Sequence, residues 1–459
     1  METQERATST HILAIPFPLQ GHMNPMVQLC NRLVPKGIHV TFVTTASICT
    51  SLQIQGGSNL MINVETVPDS AIDVVEDLDI YETFIRSFRA AISRGLPDII
   101  MKKRNSSFPF KAVVYDSVIP WILDIVHENG LKGAVLFTQP CAVCSVFYHM
   151  HQGTLEIPPD EGSEISLPGM PVLRLKDLPS LVYDMSSYPT LLRLLVEQFS
   201  TFEKADWRLF NTFDRLEEEI LKWMANKYPI RTIGPTVPSM YTDKRLLGNY
   251  DYGLSLFKPN TDSCMKWLDE KEDRSVIYVS FGSLADLADK QMKEVAWSLI
   301  DSKFSFLWVV RNTEESKLPK DFTSELHDNG LIVNWCSQLE VLSHRAVGCF
   351  LTHGGWNSTM EALSLGVPMV AMPLWVDQTT NAKLVADVWQ IGVRVEADEN
   401  GIVTREEIAA RVKDVMQGER GLEIRRNAVK WKDMAIEAIS EGGSSDKNFT
   451  EFAMELLST

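Results

Sequence analysis

The sequence predicts an α/β protein built from two doubly wound domains, each a parallel sheet with helices on both faces. Short apolar runs of strand length alternate with amphipathic runs of helix length through both halves, which is typical of a parallel sheet. Residues 234–259 interrupt this alternation with prolines, glycines and no clear period, as expected of a linker. The 459 residues, 45% of them hydrophobic, can bury two or three cores.

In the first half, apolar runs that end at polar or turn residues mark the strands. The dipeptide Asn24-Pro25 resembles a helix N-cap followed by proline at the first helical position, and Gly37 ends that helix. Further helices are predicted over residues 78–102 and 216–227. The predicted strands are residues 11–17, 38–44, 62–67, 112–115, 134–137, 207–212 and 231–233.

In the second half, the alternation restarts after the linker. Predicted strands cover residues 276–281, 304–310, 331–333, 347–352 and 369–371. Predicted helices cover residues 290–300, 360–365, 379–388, 404–417, 422–439 and a final segment that ends at Leu457.

These elements give predicted domain boundaries. We expect a first domain over residues 1–240, a linker over 241–260, a second domain over 261–440 and a last helix over 441–459. Sheets of this kind bind ligands beyond the carboxyl ends of their strands. Two such domains facing each other would therefore form a cleft that takes one partner from each side.

Composition excludes several classes of partner. The formal net charge is −16, from 44 basic and 60 acidic residues, which argues against a nucleic acid or an anionic membrane surface. Seven scattered cysteines form no disulfide framework. The first ten residues are polar, and no run approaches the roughly 20 apolar residues of a membrane span. We therefore expect a cytoplasmic protein without stable membrane insertion, and we expect a monomer.

A candidate anion site follows the predicted strand at residues 347–352. His353 and two glycines lead into Asn357 and Ser358, just before a helical run. The free N–H groups and positive end of a helix attract anions, and the amide and hydroxyl add donors for phosphate oxygens. Glu361, one turn later, can accept hydrogen bonds from a ribose diol.

Two more features flank this site. Trp335 follows a short apolar run and offers a flat face for a nucleobase to stack on. Asp377 and Gln378 open another helical run and offer acceptors and donors suited to sugar hydroxyls.

Taken together, residues 335–378 resemble the nucleotide-sugar signature of the plant small-molecule glycosyltransferases, the family 1 enzymes that use uridine diphosphate (UDP) sugars. One departure is Gly354, which stands where cysteine is usual; the position needs only a small residue. The residues at the family's spacing are Trp335, Gln338, His353, Gly355, Trp356, Asn357, Ser358, Glu361, Pro373, Asp377 and Gln378.

The resemblance implies the GT-B architecture, in which the last helix crosses back to the first domain. It also implies that UDP-glucose is the co-substrate, with Gln378 accompanying glucose rather than galactose. Further donor contacts are expected from Cys336 and Trp375 within the signature, from Thr138 at the end of a first-domain strand, and from Ser283 after the first strand of the second domain.

The same resemblance assigns the catalytic groups. His22 matches the family's general base, and its place after the first strand puts it at the functional edge of the sheet. Asp116, at the end of another strand, matches the aspartate that pairs with the base. Such a pair activates a hydroxyl nucleophile near neutral pH, because histidine has a suitable pKa and the carboxylate stabilises the imidazolium.

The acceptor pocket is predicted from apolar and aromatic residues of the first domain. Such a lining suits a lipophilic ligand. The candidates are Leu19, Tyr81, Phe84, Ile119, Phe147 and Met185.

No metal ion is expected at the site. Asp77-Leu78-Asp79 has the spacing of metal-dependent glycosyltransferases, but those have another architecture, and here the motif opens a predicted amphipathic helix. We interpret it as a solvated helix start. The helix end and neutral donors would carry the charge of the leaving diphosphate instead.

The predicted function is transfer of glucose from UDP-glucose to a hydroxyl, or a carboxyl, of a small lipophilic acceptor in plant secondary metabolism. A steroid, terpenoid or phenolic acceptor fits, and the product would be a β-glucoside. Two alternatives stay open: a UDP-sugar epimerase of the same architecture, and a non-enzymatic protein that binds the UDP-sugar.

Overall fold

Two parallel sheets organise the chain. The computed structural model describes residues 10–54, 62–70, 80–155, 162–255 and 260–459. The first sheet has the strand order β4-β2-β1-β5-β6-β7-β8, and the second has the order β12-β11-β10-β13-β14-β15. The strands are β1 (Thr10–Ile15), β2 (Ile38–Thr45), β3 (Gln53–Ile54), β4 (Asn63–Val67), β5 (Phe110–Asp116), β6 (Lys132–Phe137), β7 (Trp207–Phe210), β8 (Arg231–Thr232), β9 (Leu254–Ser255), β10 (Val276–Ser280), β11 (Ser305–Val309), β12 (Gly330–Val333), β13 (Val347–Thr352), β14 (Met369–Ala371) and β15 (Gly392–Arg394).

Helices follow most strands and cover both faces of each sheet. They are α1 (Gln20–Leu33), α2 (Ala46–Ser51), α3 (Ile80–Arg104), α4 (Ile122–Glu128), α5 (Cys141–His151), α6 (Ser180–Tyr183), α7 (Pro189–Glu197), α8 (Glu218–Ala225), α9 (Thr261–Asp269), α10 (Asp289–Ser302), α11 (Phe322–Glu325), α12 (Gln338–Ser343), α13 (Trp356–Leu365), α14 (Gln378–Lys383), α15 (Arg405–Met416), α16 (Gly418–Ile439) and α17 (Ser444–Leu457). The predicted pair of doubly wound α/β domains is confirmed.

Burial on both faces explains why a central strand such as β1 is apolar at consecutive positions from Ile12 to Ile15. In β1, Ile12 and Ala14 pack on one face of the sheet, in the core cluster that also holds residues of α1 and α17. Leu13 and Ile15 pack on the opposite face, in the cluster that includes α3 and α5. Because successive side chains point to opposite faces and both faces are covered, the strand has no polar alternation.

The strand order reverses beside β1 and beside β10. β1 pairs with β2 on one side and β5 on the other, while β10 pairs with β11 and β13. In doubly wound sheets a crevice opens at such a reversal, beyond the carboxyl ends of the strands. The loops that leave β1, β5, β10 and β13 are therefore placed to form a site.

The first helix does not begin where Asn24-Pro25 predicted. Leu19 is its N-cap, α1 begins at Gln20, and Pro25 lies inside the helix. Proline has no N–H for the carbonyl four residues earlier, here that of Gly21. Asn357 of the second domain supplies the missing donor, because its Nδ2 donates to the Gly21 carbonyl oxygen at 2.6 Å.

The start of α13 also differs from the prediction. Gly355 is the N-cap and Trp356 the first helical residue, so Asn357 and Ser358 lie within the first turn rather than before the helix. Gly354 has a φ of 77°, in the left-handed region. A Cβ there would meet only ordinary contacts, from 3.8 Å. The backbone conformation, rather than space, therefore favours glycine at this departure from the family pattern.

The last helix packs on the first sheet, as the resemblance implied. Phe449 and Phe452 of α17 lie in the same core cluster as Ile12. Arg231 at β8 donates from Nη1 to Glu455 Oε2 at 2.9 Å. The exact domain boundaries stay a prediction.

Within the described residues, no helix combines the length and apolarity needed to cross a membrane.

Candidate active site

A cleft of about 330 Å³ opens between the two sheets, where the strand orders reverse. Its wall combines residues of the first domain, the segment between the domains and the second domain. Every predicted donor residue lines it: Thr138, Ser283, Trp335, Cys336, Gln338, His353, Trp356, Asn357, Ser358, Glu361, Trp375, Asp377 and Gln378. Their binding roles remain predictions.

His22 and Asp116 form a hydrogen-bonded pair at this cleft. His22 Nδ1 lies 2.8 Å from Asp116 Oδ2 and 3.1 Å from Thr138 Oγ1. The Asp116 side chain is fully buried, whereas His22 is 19% exposed and lines the cleft. Because the carboxylate accepts from Nδ1, the proton sits on that nitrogen and Nε2 keeps a lone pair for a proton from a ligand.

The environment of His22 favours its charged form. Burial alone would lower its pKa, but the charge and hydrogen bond of Asp116, with a further contribution from the charge of Asp377, outweigh burial and raise the pKa above 6.5. Asp116 belongs to the first domain and Asp377 to the second. The two walls of the cleft therefore act electrostatically on one imidazole.

One end of the cleft carries a polar network around Glu361. This buried carboxylate accepts from Tyr252 Oη at 2.7 Å and from Gln338 Nε2 at 2.6 Å. Gln338 Nε2 also donates to Ser358 Oγ at 3.0 Å. Burial raises the pKa of Glu361 although these two partners oppose the shift. With Trp335 on the same wall, the network gives a flat aromatic face beside fixed acceptors, which suits a nucleoside.

Cys336 lies beside this network but turns inward. Its side chain is buried, and Sγ lies 3.6 Å from the hydroxyl of Tyr278. Its place in the wall is therefore largely one of packing.

The middle of the cleft is shaped by His353 and two glycines. A Cβ on Gly282 would lie 2.8 Å from the imidazole of His353, and one on Gly355 would lie 2.6 Å from it. Burial lowers the pKa of His353 to about 4, so this ring is neutral near pH 7. Ser283 follows Gly282, and its carbonyl accepts from Arg311 Nη1 at 2.7 Å, which fixes the loop.

The N-terminus of α13 faces the same region. Its first N–H groups have no carbonyl within the helix to bond to, and they add to the positive end of the helix dipole. The indole of Trp356 points away, because Nε1 donates to the Asn211 carbonyl of the first domain at 2.8 Å. The indole N–H of Trp356 is thus already used within the protein.

Asp377 and Gln378 lie opposite His22. Burial raises the pKa of Asp377 to about 6, although Asn381 donates to its Oδ2 at 2.7 Å. Gln378 Oε1 accepts from the backbone N–H groups of Leu374 and Trp375 at 2.9 and 3.1 Å. The side-chain carbonyl of Gln378 therefore already has two partners, and the side-chain NH₂ group remains as a donor for a ligand.

The predicted acceptor residues do not form one surface. Leu19 lines the cleft, but Ile119 and Phe147 are buried in the first-domain core and are removed from the prediction. Phe147 sits on α5, whose residues from Cys141 to Tyr148 are all buried, so this helix has no face toward the cleft there.

The other three acceptor candidates lie near the cleft but are not part of its wall. Phe84 packs edge-on against Phe17, with ring centroids 5.9 Å apart. Tyr81 lies 6.4 Å from the Trp375 ring. Met185 is partly exposed in the segment between α6 and α7.

Part of the cleft wall was not predicted from the sequence. Three of the four leucines of α7, Leu191, Leu194 and Leu195, line the cleft together with Val118. Pro189 at the first position of α7, before a leucine-rich run, was the available signal. Tyr252 and Asp251 also line the cleft, from a segment that was expected to be only a linker.

Asp77 and Asp79 lie outside the described residues. Among the described residues, no group of three or more His, Cys, Asp and Glu side chains is arranged to hold a metal ion.

Comparison with known proteins gives consistent matches. Residues 235–434 match the family model for UDP-glucoronosyl and UDP-glucosyl transferase, and residues 8–62 match that for the glycosyltransferase N-terminal domain. Mogroside I-E synthase of Siraitia grosvenorii is 48% identical over 451 residues, which cover 98% of this chain and 99% of that protein.

Solved structures agree. Os79 from O. sativa, solved in complex with UDP, has a TM-score of 0.91 at 37% identity and covers 97% of this chain and 100% of its own. Phytolacca americana UGT2, complexed with UDP-2fluoro-glucose and pterostilbene, has a TM-score of 0.84 at 26% identity and covers 98% of this chain and 100% of its own.

Proposed function

Because this chain belongs to the plant family 1 UDP-dependent glycosyltransferases, we propose that it transfers glucose from UDP-glucose to a hydroxyl of a small lipophilic acceptor, with inversion at the anomeric carbon. A carboxyl acceptor would react in the same way. Relatives and neighbours of this chain are named as UDP-glycosyltransferases or were solved with UDP, so neither the epimerase nor the binding-protein alternative is favoured.

One observation carries the proposal. His22 is paired with buried Asp116 and lies on the same cleft wall as Thr138. The charge of Asp377, from the other domain, contributes to the raised pKa of His22. A base from one domain therefore faces sugar-binding groups from the other. An acceptor hydroxyl between them would be next to both the base and the anomeric carbon, which is the arrangement that displacement requires.

The reaction follows from this arrangement. His22 Nε2 takes the proton from the acceptor hydroxyl, and the oxygen attacks the anomeric carbon from the face opposite the diphosphate. The bond to the diphosphate oxygen breaks, and UDP leaves with the electron pair. Asp116 stabilises the imidazolium that forms. The product is the β-glucoside.

The donor wall has a matching set of groups. We propose that Trp335 stacks on the uracil, that Glu361 accepts from the ribose, and that the first turn of α13 with Ser283 and neutral His353 receives the diphosphate. The NH₂ group of Gln378 and the carboxylate of Asp377 would read the glucose hydroxyls. No metal is assigned a role, and turnover in excess chelator should match turnover without it.

The dependence of rate on pH tests the role of His22. The base must be neutral, and its pKa is raised above 6.5, so kcat/KM should fall on the acid side of a pKa in that raised range. Asp116→Asn removes the charge that favours the imidazolium, so the acid limb should move to lower pH while the rate falls. An unchanged acid limb in Asp116→Asn would contradict the assignment of His22 as the titrating base.

The acceptor class requires a direct assay. Leu191, Leu194 and Leu195 of α7 and Val118 give the first-domain wall an apolar part, which supports a terpenoid, steroid or phenolic acceptor. A panel of triterpenols, hydroxysteroids, phenols and carboxylic acids with labelled UDP-glucose would identify it. Residence in the cytoplasm and a monomeric state stay predictions.

A further inference from the structure

The turn that leads into α14 contains a strained residue. Val376 has a φ of 55°, in the left-handed region. A β-branched side chain rarely adopts this conformation, because its Cβ crowds the backbone. The next two residues are Asp377 and Gln378. Where these two side chains point therefore depends on whether Val376 keeps this conformation.

Ser180 of the first domain holds both backbone groups of Val376. The Val376 N–H donates to Ser180 Oγ at 2.7 Å, and the Ser180 N–H donates to the Val376 carbonyl at 2.8 Å. Ser180 is the first residue of α6, so its N–H has no carbonyl to bond to within the helix. We name this pair of hydrogen bonds the Ser180 latch.

The turn is held from its inner side as well. Gln378 Oε1 accepts from the N–H groups of Leu374 and Trp375. Because Gln378 belongs to the turn, these hydrogen bonds fix the shape of the turn but not its position relative to the first domain. The Ser180 latch is different, because it fixes the turn relative to the domain that carries His22.

We propose that Ser180 is a positioning residue for sugar transfer. By stabilising the left-handed conformation of Val376, it places the side chains of Asp377 and Gln378 where they can contact the transferred sugar while His22 contacts the acceptor. This inference rests on the proposed function, in which these two side chains bind the transferred sugar. Ser180 itself touches no reacting atom.

Other hydrogen bonds cross the same seam, the interface between the two domains beside α14, without involving the turn. Thr380 Oγ1 donates to the Asp177 carbonyl at 2.7 Å, and Arg394 Nη1 donates to Asp177 Oδ1 at 2.8 Å. These contacts join the domains through α14 and β15. They provide a control that separates the Ser180 latch from general loosening of the interface.

The first test compares Ser180→Ala with Thr380→Val. Each removes one hydroxyl that bonds across the seam. Ser180→Ala should lower kcat with UDP-glucose about tenfold, or about 1.4 kcal/mol in barrier. Its affinity for UDP in calorimetric titration should stay within twofold of wild type, because the nucleotide groups lie at the other end of the cleft. Thr380→Val should keep near-wild-type turnover.

The second test is rescue. Glycine adopts positive φ freely, so Ser180→Ala/Val376→Gly should recover at least half of the lost activity on a logarithmic scale. Ser180→Thr keeps the hydroxyl and should retain more activity than Ser180→Ala. Wild-type turnover in Ser180→Ala, an equal loss in Thr380→Val, or no rescue by Val376→Gly would each overturn the inference.

Failure of the proposed function would look different. If the wild-type protein transferred no glucose, the glucose assignment would fail at that step. The Ser180 latch would then be tested with the UDP-sugar that the enzyme does use, because the rescue depends on the turn and not on the identity of the sugar.

Discussion

The two walls of the cleft are built by different physical means. On the second-domain wall, a hydrogen bond joins the half-buried side chain of Gln338 to buried Glu361. Buried Gln378 accepts from the backbone N–H groups of Leu374 and Trp375. On the first-domain wall, three leucines of α7 and Val118 present apolar surface. That wall also carries His22 and its partners, with Gln20, Asn24 and Gln139.

The difference between the two walls indicates which substrate, donor or acceptor, should be selected more strictly. A buried polar group left without a partner is costly, so the polar wall can reject a wrong ligand strongly. Apolar contact is non-directional and scales with area. We therefore expect a strict donor site opposite a tolerant acceptor site, joined at His22.

The largest expected effect lies at the junction of the two walls. His22→Ala should lower turnover by roughly 10²–10⁴ because the positioned base is lost, with UDP affinity in calorimetric titration nearly intact. His127→Ala is the matched control. It removes a second His–Asp pair, with Nε2 3.0 Å from Asp206, that lies at the surface. Wild-type turnover in His22→Ala would remove this residue from the mechanism.

The next effect tests the polar wall. Trp335→Ala should weaken UDP binding by roughly 1–3 kcal/mol, the range for loss of base stacking on an aromatic ring. Trp223→Ala, a tryptophan of the first domain stacked on His149, should leave UDP binding unchanged. If Trp335→Ala bound UDP as tightly as wild type, the indole would serve packing and not the nucleotide.

A smaller effect concerns which sugar is used. We expect the wild type to prefer UDP-glucose over UDP-galactose by tenfold or more in kcat/KM, about 1.4 kcal/mol. Gln378→His should erode this preference, mainly by losing glucose transfer. It also removes the acceptor for the N–H groups of Leu374 and Trp375. Equal use of both sugars by the wild type would refute the donor assignment and leave the His22 chemistry standing.

The smallest effect should come from the apolar wall. Leu191→Ala should raise KM for a lipophilic acceptor roughly threefold, because part of a contact worth about 0.8 kcal/mol per buried CH₂ is lost, and KM for UDP-glucose should not change. Leu192→Ala on the same helix, whose side chain is outside the cleft wall, is the control. A loss of a hundredfold or more at Leu191 would mean that this wall is also selective, and the contrast would fail.

The same contrast explains what could be predicted from the sequence. The strands, the two sheets and the residues of the second-domain cleft wall could be predicted because motifs such as Trp335 after a strand and Asp377-Gln378 at a helix start are local in sequence. The acceptor wall could not, because an apolar residue has the same pattern in a core as in a pocket. Ile119 and the adjacent Val118 belong to the same buried cluster, yet only Val118 lines the cleft.

Contacts between distant segments were also out of reach. Nothing local marks Tyr252 as the hydroxyl that reaches Glu361. The start of α1 was misplaced for a related reason. The rule for proline at a helix start assumes that the helix meets its own hydrogen bonds, and here the second domain supplies one.

The hydrogen bond from Asn357 to α1 couples two positions that are distant in the sequence. Pro25 frees the Gly21 carbonyl by lacking an N–H, and Asn357 takes the carbonyl at 2.6 Å. Replacing Pro25 with an ordinary residue would add an N–H donor that competes with Asn357 for that carbonyl. Among homologous sequences, we therefore expect these two positions to be kept or lost together, although one lies in the helix that carries His22 and the other on the second-domain wall of the cleft.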